Sequence, residues 1–527
     1  MKKEALEFMS MRDLLAELEK ERTRVLNLAS PKAVERQHGR GKMTARERIH
    51  RFFDPGTFLE LGLFAKPRIT GFDIDQQDLT GDGVITGSGM VDGRPVYAYA
   101  QDFTIAGGSQ GSVHAKKALR VMKQALKARV PCVHMIDSGG VRVQDAVTRD
   151  LADSYQLFFY YHTLSSGVIP QISLLMGPCA AGAAYSPILT DFLIMVKGTS
   201  HMYIASPTLI KSVQFVDVTE EEIGGPRMHA EVSGCCDVLA ENDEDCLQKC
   251  RDLLSYLPAH NQEDPPVVSL GDDPERRDED LLDIVPVESK KWFDMHRVIE
   301  RIVDKGKVFE IKPDYAKNMI TLFARMDGRT VGIVANNPKH LAGAIDINAA
   351  DKEARFIRFC DCFNIPLIFL VDNPAYLPGT DQERGGIIRH GAKVLHALSE
   401  ATVPKFTVYI RKAYGGGNPA MCSEPLGSDL LLGWPSTEMG LMNPDGAVGI
   451  IYRNEIAAAK DPAEVRARRL AEYKSTFGRF PYHAAHMRWI EEIIDPRDTR
   501  RLLIRALKTF RAKRDERPWK KHGNIPM

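Results

Sequence analysis

The sequence predicts an α/β protein of two tandem domains related by internal duplication, and three observations carry that prediction. The stretch "DGRPVYAYAQDF" at 92–103 returns as "DGRTVGIVANNP" at 327–338, and the same offset of 235 residues lays Gly108 on Gly343, Lys117 on Lys352, Pro131 on Pro366 and Asp137 on Asp372. With a shift of one residue, "IPQISLLMGPCAAGAA" at 169–184 lies against "VPKFTVYIRKAYGGGN" at 403–418. Between the halves, residues 259–286 are acidic, proline-rich and without hydrophobic period, as a connection between domains is. A period this long marks a duplicated domain rather than a solenoid. The expected boundaries are 1–265 and 287–527, with a linker at 266–286.

Taken in order, the N-terminal "MKKEALEFMSMRDLLAELEKERTRV" has no apolar core and many glutamates, so it reads as a solvated amphipathic helix rather than a secretory signal. "VYAYAQDF" is a strand, "AGGSQG" a glycine-containing turn and "SVHAKKALRVMKQALKAR" a helix. Pro131 opens an apolar strand that ends at Asp137, and a further helix leads to a second strand opened by Pro170, a small-residue turn and another helix. The second half repeats this order. The apolar stretch 168–196 is long enough for a membrane span, but three prolines, two glycines and Asp191 interrupt it and no basic flank orients it. A buried strand, turn and helix account for it, so no direct membrane insertion is expected. "GSGMVDG" at 87–93 has the wrong glycine spacing for a dinucleotide fingerprint and reads as a turn between strands.

Over 527 residues, 70 Lys plus Arg balance 70 Asp plus Glu, so no global field favours nucleic acid as a partner. Nine cysteines without a C-x-x-C pair argue against a zinc ribbon or a redox dithiol; no metal is expected, and the thiols, Cys235 and Cys236 included, read as free core residues in a reducing, cytoplasmic setting.

The chemistry lies in the two small-residue turns, Cys179-Ala180-Ala181-Gly182-Ala183 and Ala413-Tyr414-Gly415-Gly416-Gly417, each between a buried strand and a helix start. Backbone N–H groups at a helix start have no intrahelical partner, and small side chains let a ligand oxygen approach them. One such turn is ordinarily close packing; the same turn in both repeats points to a pair of oxyanion holes. Gly107-Gly108-Ser109-Gln110-Gly111 also matches G-x-S-x-G, the turn of a serine nucleophile. Against that reading, the repeat partner of Ser109 is Ala344, and a serine at a helix start, Ser109 or Ser112, serves as a cap or as a wall of the site.

Nine segments together carry a family resemblance: "MTARERIHRFFDPGTFLELG", "QDFTIAGGSQGSVHAKK", "IDSGGVRVQDAV", "GPCAAGAAYSP", "EIGGPRMHAEVSG", "DINAADKEARFIRFCDCFNIPL", "VDNPAYLPGTDQERGGIIRHGAKVL", "ATVPKFTVYIRKAYGGG" and "KKHGNIPM". Over nearly its full length the chain resembles the carboxyltransferase (beta) subunits of biotin-dependent acyl-CoA carboxylases, such as propionyl-CoA carboxylase, and the related biotin-dependent decarboxylase subunits. The resemblance implies two crotonase-like (β-β-α superhelix) domains, the first on the acyl-CoA side and the second on the biotin side, in a homo-oligomer that is a hexamer, a trimer of dimers. It implies that Ala181, Gly182 and Ala183 hold the enolate of a short-chain acyl-CoA thioester and that Gly416 and Gly417 hold the ureido oxygen of biotin. Carboxybiotin then releases CO2, the biotin anion takes the α-proton, and the enolate attacks CO2.

Gly108, Ser109, Gly139, Gly140 and Pro419 are the expected substrate-lining residues, and Arg142, Lys116, Lys117 and Arg389 the candidates for the CoA phosphates, each weighed against an ordinary surface charge. No lysine stands in an A-M-K-M setting and no segment resembles an ATP-grasp domain, so biotin is expected on a partner, a biotin carboxyl carrier protein or a biotin carboxylase alpha subunit. The sequence departs from the family at Val141 in "DSGGVR", at Ala181 in "GPCAAG", and at Pro419, where the propionyl type has an acid used in acyl selection. The rivals are a decarboxylase subunit running the reverse transfer towards a membrane sodium pump, a serine hydrolase built on Ser109 and a non-catalytic CoA-binding scaffold.

Overall fold

A computed structural model of the chain describes residues 10–67, 74, 76–145, 149–477 and 480–527. Two compact units divide the chain, Met1–Asn261 and Gln262–Met527. Residues 1–9 of the expected N-terminal helix lie outside the described residues. From there the helix Met11–Leu26 starts on a capping box between Ser10 and Asp13 and buries only Val25.

The first unit contains β1 (Leu59–Glu60), β2 (Val84–Val91), β3 (Arg94–Gln101), β4 (Cys132–Ile136), β5 (Gln171–Leu175), β6 (Pro178–Ala180), β7 (Phe192–Val196), β8 (His201–Tyr203) and β9 (Val238–Ala240). Seven of them form one sheet in the order β1-β2-β3-β4-β5-β7-β9, and β6 pairs with β8. From β3 to β9 the sheet is parallel. That is why "CVHMI", "QISLL" and "FLIMV" are unbroken buried runs instead of alternating ones.

The second unit contains β10 (Phe309–Ile311), β11 (Met319–Met326), β12 (Arg329–Asn336), β13 (Leu367–Asn373), β14 (Lys405–Tyr414), β15 (Leu430–Gly433), β16 (Glu438–Gly440) and β17 (Glu492–Ile493). They form one sheet, β10-β11-β12-β13-β14-β15-β17, with β16 beside β14. The duplication extends to strand register: Tyr97 faces Cys132 across β3 and β4, and Gly332 faces Leu367 across β12 and β13. The prolines opening the strands have the same task in both units. Pro131 and Pro366 lack an N–H but accept bonds from Tyr97 and Gly332 through their carbonyls, at 3.0 and 2.8 Å.

Two further repeat positions are structural. Lys117 donates to the carbonyls of Gly81 and Val84 at 2.8 and 2.6 Å, and Lys352 to those of Lys312 and Tyr315 at 2.8 and 2.9 Å. Burial pulls the two ammonium groups down to about 8 and about 7.

The segment read as a linker enters a core: Leu281, Ile284 and Val285 pack in the main cluster of the second unit with Trp434 and Phe406. The apolar stretch 168–196 becomes β5, β6, a single 3₁₀ turn at Ala181–Ala184, the five-residue helix Tyr185–Leu189 and β7. Among the described residues, no helix is long and apolar enough to cross a membrane.

Candidate active site

Both small-residue turns lie beyond the carboxyl ends of parallel strands, the place where open α/β sheets bind ligands. In the first unit, the turn is not the direct strand-to-helix junction the sequence suggests, because β6 intervenes and the helix that follows has only five residues. Ala181 takes φ 56°, a left-handed conformation uncommon outside glycine, and exposes the turn at its tip. Gly182 and Ala183 behind it are half-buried. The first N–H groups of a 3₁₀ turn have no partner within it.

The loop after β3 and the loop after β4 are zipped together beside this turn. Gly139 N donates to Gly107 O at 3.0 Å, Gln110 N to Gly140 O at 2.8 Å, and Ser138 Oγ to Gly108 O at 2.7 Å. Ser138 N in turn donates to Pro178 O at 3.1 Å. Gly108, Ser109, Gly139 and Gly140 thereby form one rim, tied through Ser138 to Pro178 in β6, the strand that leads into the turn. Glycine is required at 108 by φ 62° and by Asp137 O, which would lie 2.4 Å from a Cβ there; Gly343 repeats both features, at φ 81° and 2.6 Å from Asp372 O.

Below the rim, Asp137 is fully buried and paired with Lys42 at 2.6 Å and Arg48 at 2.9 Å. Arg48 also reaches Asp243 at 2.8 Å. Burial pulls the Lys42 ammonium down despite its partner.

Two expectations change, the serine caps and two of the phosphate-binding cations. Neither Ser109 nor Ser112 caps the helix Ser112–Ala128: its N-cap is Gly111, and carboxylates from distant segments take the first N–H groups, Asp145 from Ser112 N at 3.1 Å and Asp82 from His114 N at 2.6 Å. Ser109 Oγ instead accepts from Arg142 Nε at 3.2 Å, and the His114 ring lies against Asp82 O and Gln101, so no base is set on the serine. Arg142 and Lys117 are not poised for phosphate, since both are buried; Arg142 pairs with Asp82 at 2.5 Å and donates to Ser109 O at 3.0 Å. Lys116 and Arg389 are exposed, in the first and the second unit respectively.

In the second unit, β14 leads into Gly415 at φ 54°, an exposed Gly416 and a buried Gly417. A Cβ on Gly417 would stand 2.7 Å from Asn373 Nδ2, whereas one on Gly416 would have Tyr376 at 3.5 Å as its nearest neighbour. Tyr409 Oη donates to Asn418 Oδ1 at 3.0 Å and steadies the turn from below. Pro419, expected to line the substrate, is half-buried within the helical turn Gly417–Ala420. Two aromatic neighbours went unread in the sequence, Tyr155 beside Gly182 and Tyr376 beside Gly416; Tyr155 lies outside every segment that carries the resemblance, Tyr376 lies inside "VDNPAYLPGTDQERGGIIRHGAKVL" without a role of its own, and both contacts arise only from folding.

A cavity of about 740 Å³ in the first unit, beside Asp102 and Ile105, includes neither Gly108 nor Gly182. Among the described residues no group of three or more His, Cys, Asp or Glu side chains is arranged to hold a metal.

Comparison with known proteins places the chain. The carboxyl transferase domain model matches residues 36–525. The methylmalonyl-CoA decarboxylase alpha subunit of Veillonella parvula is 51% identical over 94% of this chain and 95% of its own length. The carboxyltransferase subunit of propionyl-CoA carboxylase from Haloferax mediterranei is 48% identical over 98% and 100%. Among solved structures, a transcarboxylase 12S hexamer with methylmalonyl-CoA and methylmalonic acid bound superposes with a TM-score of 0.94 at 47% identity, covering 98% of this chain and 99% of that one.

Proposed function

Because the chain belongs to the carboxyl transferase domain family, we propose that it is the carboxyltransferase subunit of a biotin-dependent, short-chain acyl-CoA carboxylase. Carboxyl transfer between biotin and an acyl-CoA is the activity of the family; the reading of how this chain performs it rests on one observation. Each unit carries a small-residue turn at the same place in its repeat, Ala181-Gly182-Ala183 and Gly416-Gly417.

In this reading the first turn holds the thioester oxygen and stabilises the charge that develops on it when the α-proton leaves. The second turn holds the ureido oxygen of biotin. The open surroundings of Gly416 fit a ring oxygen approaching its backbone, while Asn373 behind Gly417 keeps side chains out. Biotin, when bound, supplies the carboxyl group and the base; the chain supplies position and two sets of backbone donors. Neither turn needs a charged group for this, in keeping with cations that are tied up inside the fold at Asp137 and Asp82.

Biotin is carried by a separate protein, a biotin carboxyl carrier protein or a biotin carboxylase alpha subunit. The chain assembles as a hexamer, a trimer of dimers. The exposed apolar residues Leu441, Ile450 and Ile451, at 84, 66 and 62%, support burial against another chain, and the transcarboxylase neighbour is itself a hexamer. Nine free cysteines support a reducing compartment, the cytoplasm.

A second reading is favoured by the Veillonella relative, a decarboxylase subunit as similar as the carboxylase one: the same two turns running the transfer backwards. The test is reconstitution. The isolated chain with acyl-CoA, ATP and bicarbonate should be inactive, and activity should appear on adding biotinylated carrier and biotin carboxylase. Avidin-insensitive carboxylation by the chain alone would overturn the reading, and net decarboxylation as the only activity would favour the second.

A further inference from the structure

Gly182 has a neighbour that its sequence surroundings do not announce. A Cβ at this position would lie 1.8 Å from Tyr155 Oη and 2.9 Å from its Cζ. The tyrosine hydroxyl therefore occupies the space in which any side chain at 182 would stand. Tyr155 comes from the helix Arg149–Ser165, on the same face as Phe159, and the two rings meet edge to face at 5.3 Å. Phe159 meets Tyr185, which leaves the same turn, edge to face at 6.1 Å. This row of rings joins the helix to the turn and fixes where the phenol can point.

The hydroxyl is a donor of the right kind. Burial, with Cys179 and Tyr185 nearby, pushes the Tyr155 phenol above its ordinary acidity range, so it stays neutral and keeps its proton through the physiological range. The second unit differs. There Gly416 faces the ring edge of Tyr376, and the Tyr376 hydroxyl points to Gly391, 3.0 Å from where its Cβ would be. A ring wall in one turn and a hydroxyl in the other is a chemical difference between two otherwise matched sites.

We propose that Tyr155 is a third donor at the first turn, its hydroxyl giving a hydrogen bond to the acyl oxygen that the Ala181–Ala183 backbone binds. The bond strengthens as that oxygen gains negative charge, and the O–H bond itself is not broken, so no proton changes hands at Tyr155. The proposal rests on reading the first turn as the acyl-oxygen hole. If Tyr155 only packed against Gly182, phenylalanine would serve as well.

The test uses the full chain reconstituted with biotinylated carrier and biotin carboxylase. Tyr155→Phe should lower kcat by about a hundredfold, the scale of one lost oxyanion donor, while the KM for acyl-CoA moves by less than about threefold. Placing 3-fluorotyrosine at 155 should restore kcat to within about tenfold and move the alkaline limb of the pH profile to lower pH, because fluorine acidifies the phenol. Where the Phe variant does not assemble, the fluorotyrosine pH profile alone decides. Wild-type kcat in Tyr155→Phe, or an unmoved alkaline limb with fluorotyrosine, would overturn the inference while leaving the carboxyltransferase reading intact. A wild-type chain that transfers no carboxyl group would overturn the reading beneath it.

Discussion

Asp137 and Asp372 end equivalent strands in the two units, and both are fully buried, but their charges are met from opposite directions along the chain. Asp137 is neutralised by Lys42 and Arg48, which precede the first sheet, at 2.6 and 2.9 Å. Asp372 is neutralised by Arg411, on the next strand β14, at 2.6 Å, with Lys412 at 3.5 Å. The amide of each aspartate also donates to a side-chain carbonyl on the preceding strand, Gln101 in one case and Asn336 in the other, at 3.1 and 3.2 Å. The carboxylates were duplicated with the fold; their cations were supplied separately.

Removing one cation should therefore damage its own unit. Arg48→Met and Arg411→Met are each expected to cost about 3–5 kcal/mol, the usual result of leaving a buried charge without its partner. Urea unfolding followed by unit-specific fluorescence would read this, and adding Asp137→Asn to Arg48→Met should recover part of the loss.

Ser109→Ala should retain carboxyl transfer within about tenfold of wild type, since the hydroxyl only accepts from Arg142 and the same guanidinium also holds the Ser109 carbonyl. A hydrolase would lose several orders of magnitude. Steady-state kcat/KM decides, with a fluorophosphonate probe expected to leave Ser109 unlabelled.

Buried groups in the two units should respond to acid with opposite signs. His162 and His114 are pulled down to about 4 and about 3 by burial in the first unit, so each stays neutral when folded and takes a proton more readily when unfolded. Their contribution is fully present above pH 6.5 and is lost as pH falls from there towards 4, about 3 kcal/mol for His162. In the second unit Glu353 is buried with neither carboxyl oxygen partnered, and burial raises it well above its ordinary range. Its contribution is present at low pH and is lost as pH rises past the ordinary glutamate value. Followed by denaturation from pH 7.5 to 4, His162→Gln should remove the part of the acid loss that His162 contributes in the first unit, and Glu353→Gln should flatten the profile of the second.

Pro419→Asp should redirect acyl choice. Proline fixes φ, removes a donor and offers a compact apolar surface in the turn that follows Gly417. A change of about 10–200-fold in the kcat/KM ratios for acetyl-, propionyl-, butyryl- and branched acyl-CoA is expected, without loss of the chemistry. Equal ratios in an intact oligomer would remove position 419 from substrate selection.

Much of this architecture was legible because the repeat constrains identity wherever the backbone is crowded. Gly108 and Gly343 match since a Cβ would strike the carbonyl of the following aspartate in each unit, and Lys117 and Lys352 match since each ties its helix to a loop through carbonyls. Partners distant in the chain were not legible. Arg142 and Lys117 read as phosphate ligands because a basic residue in a sequence does not show its burial, and Asp82, which takes up Arg142, lies in another segment. The serine caps failed for a related reason: Asp145 and Asp82 reach the helix start through space. Tyr155 carries no motif at all, and only the packing of one helix against the turn brings its hydroxyl to Gly182.

The matched lysines also provide a clock for opening of the fold. Lys117 and Lys352 are 8 and 3% exposed, and their amines are bonded to backbone carbonyls, so acylating reagents that modify the surface lysines should pass them by while the chain is folded. Modification at 117 then counts excursions of the first unit, and modification at 352 those of the second. Two internal reporters, inherited with the duplication, resolve the breathing of each half in a molecule whose bulk signals would blur them together.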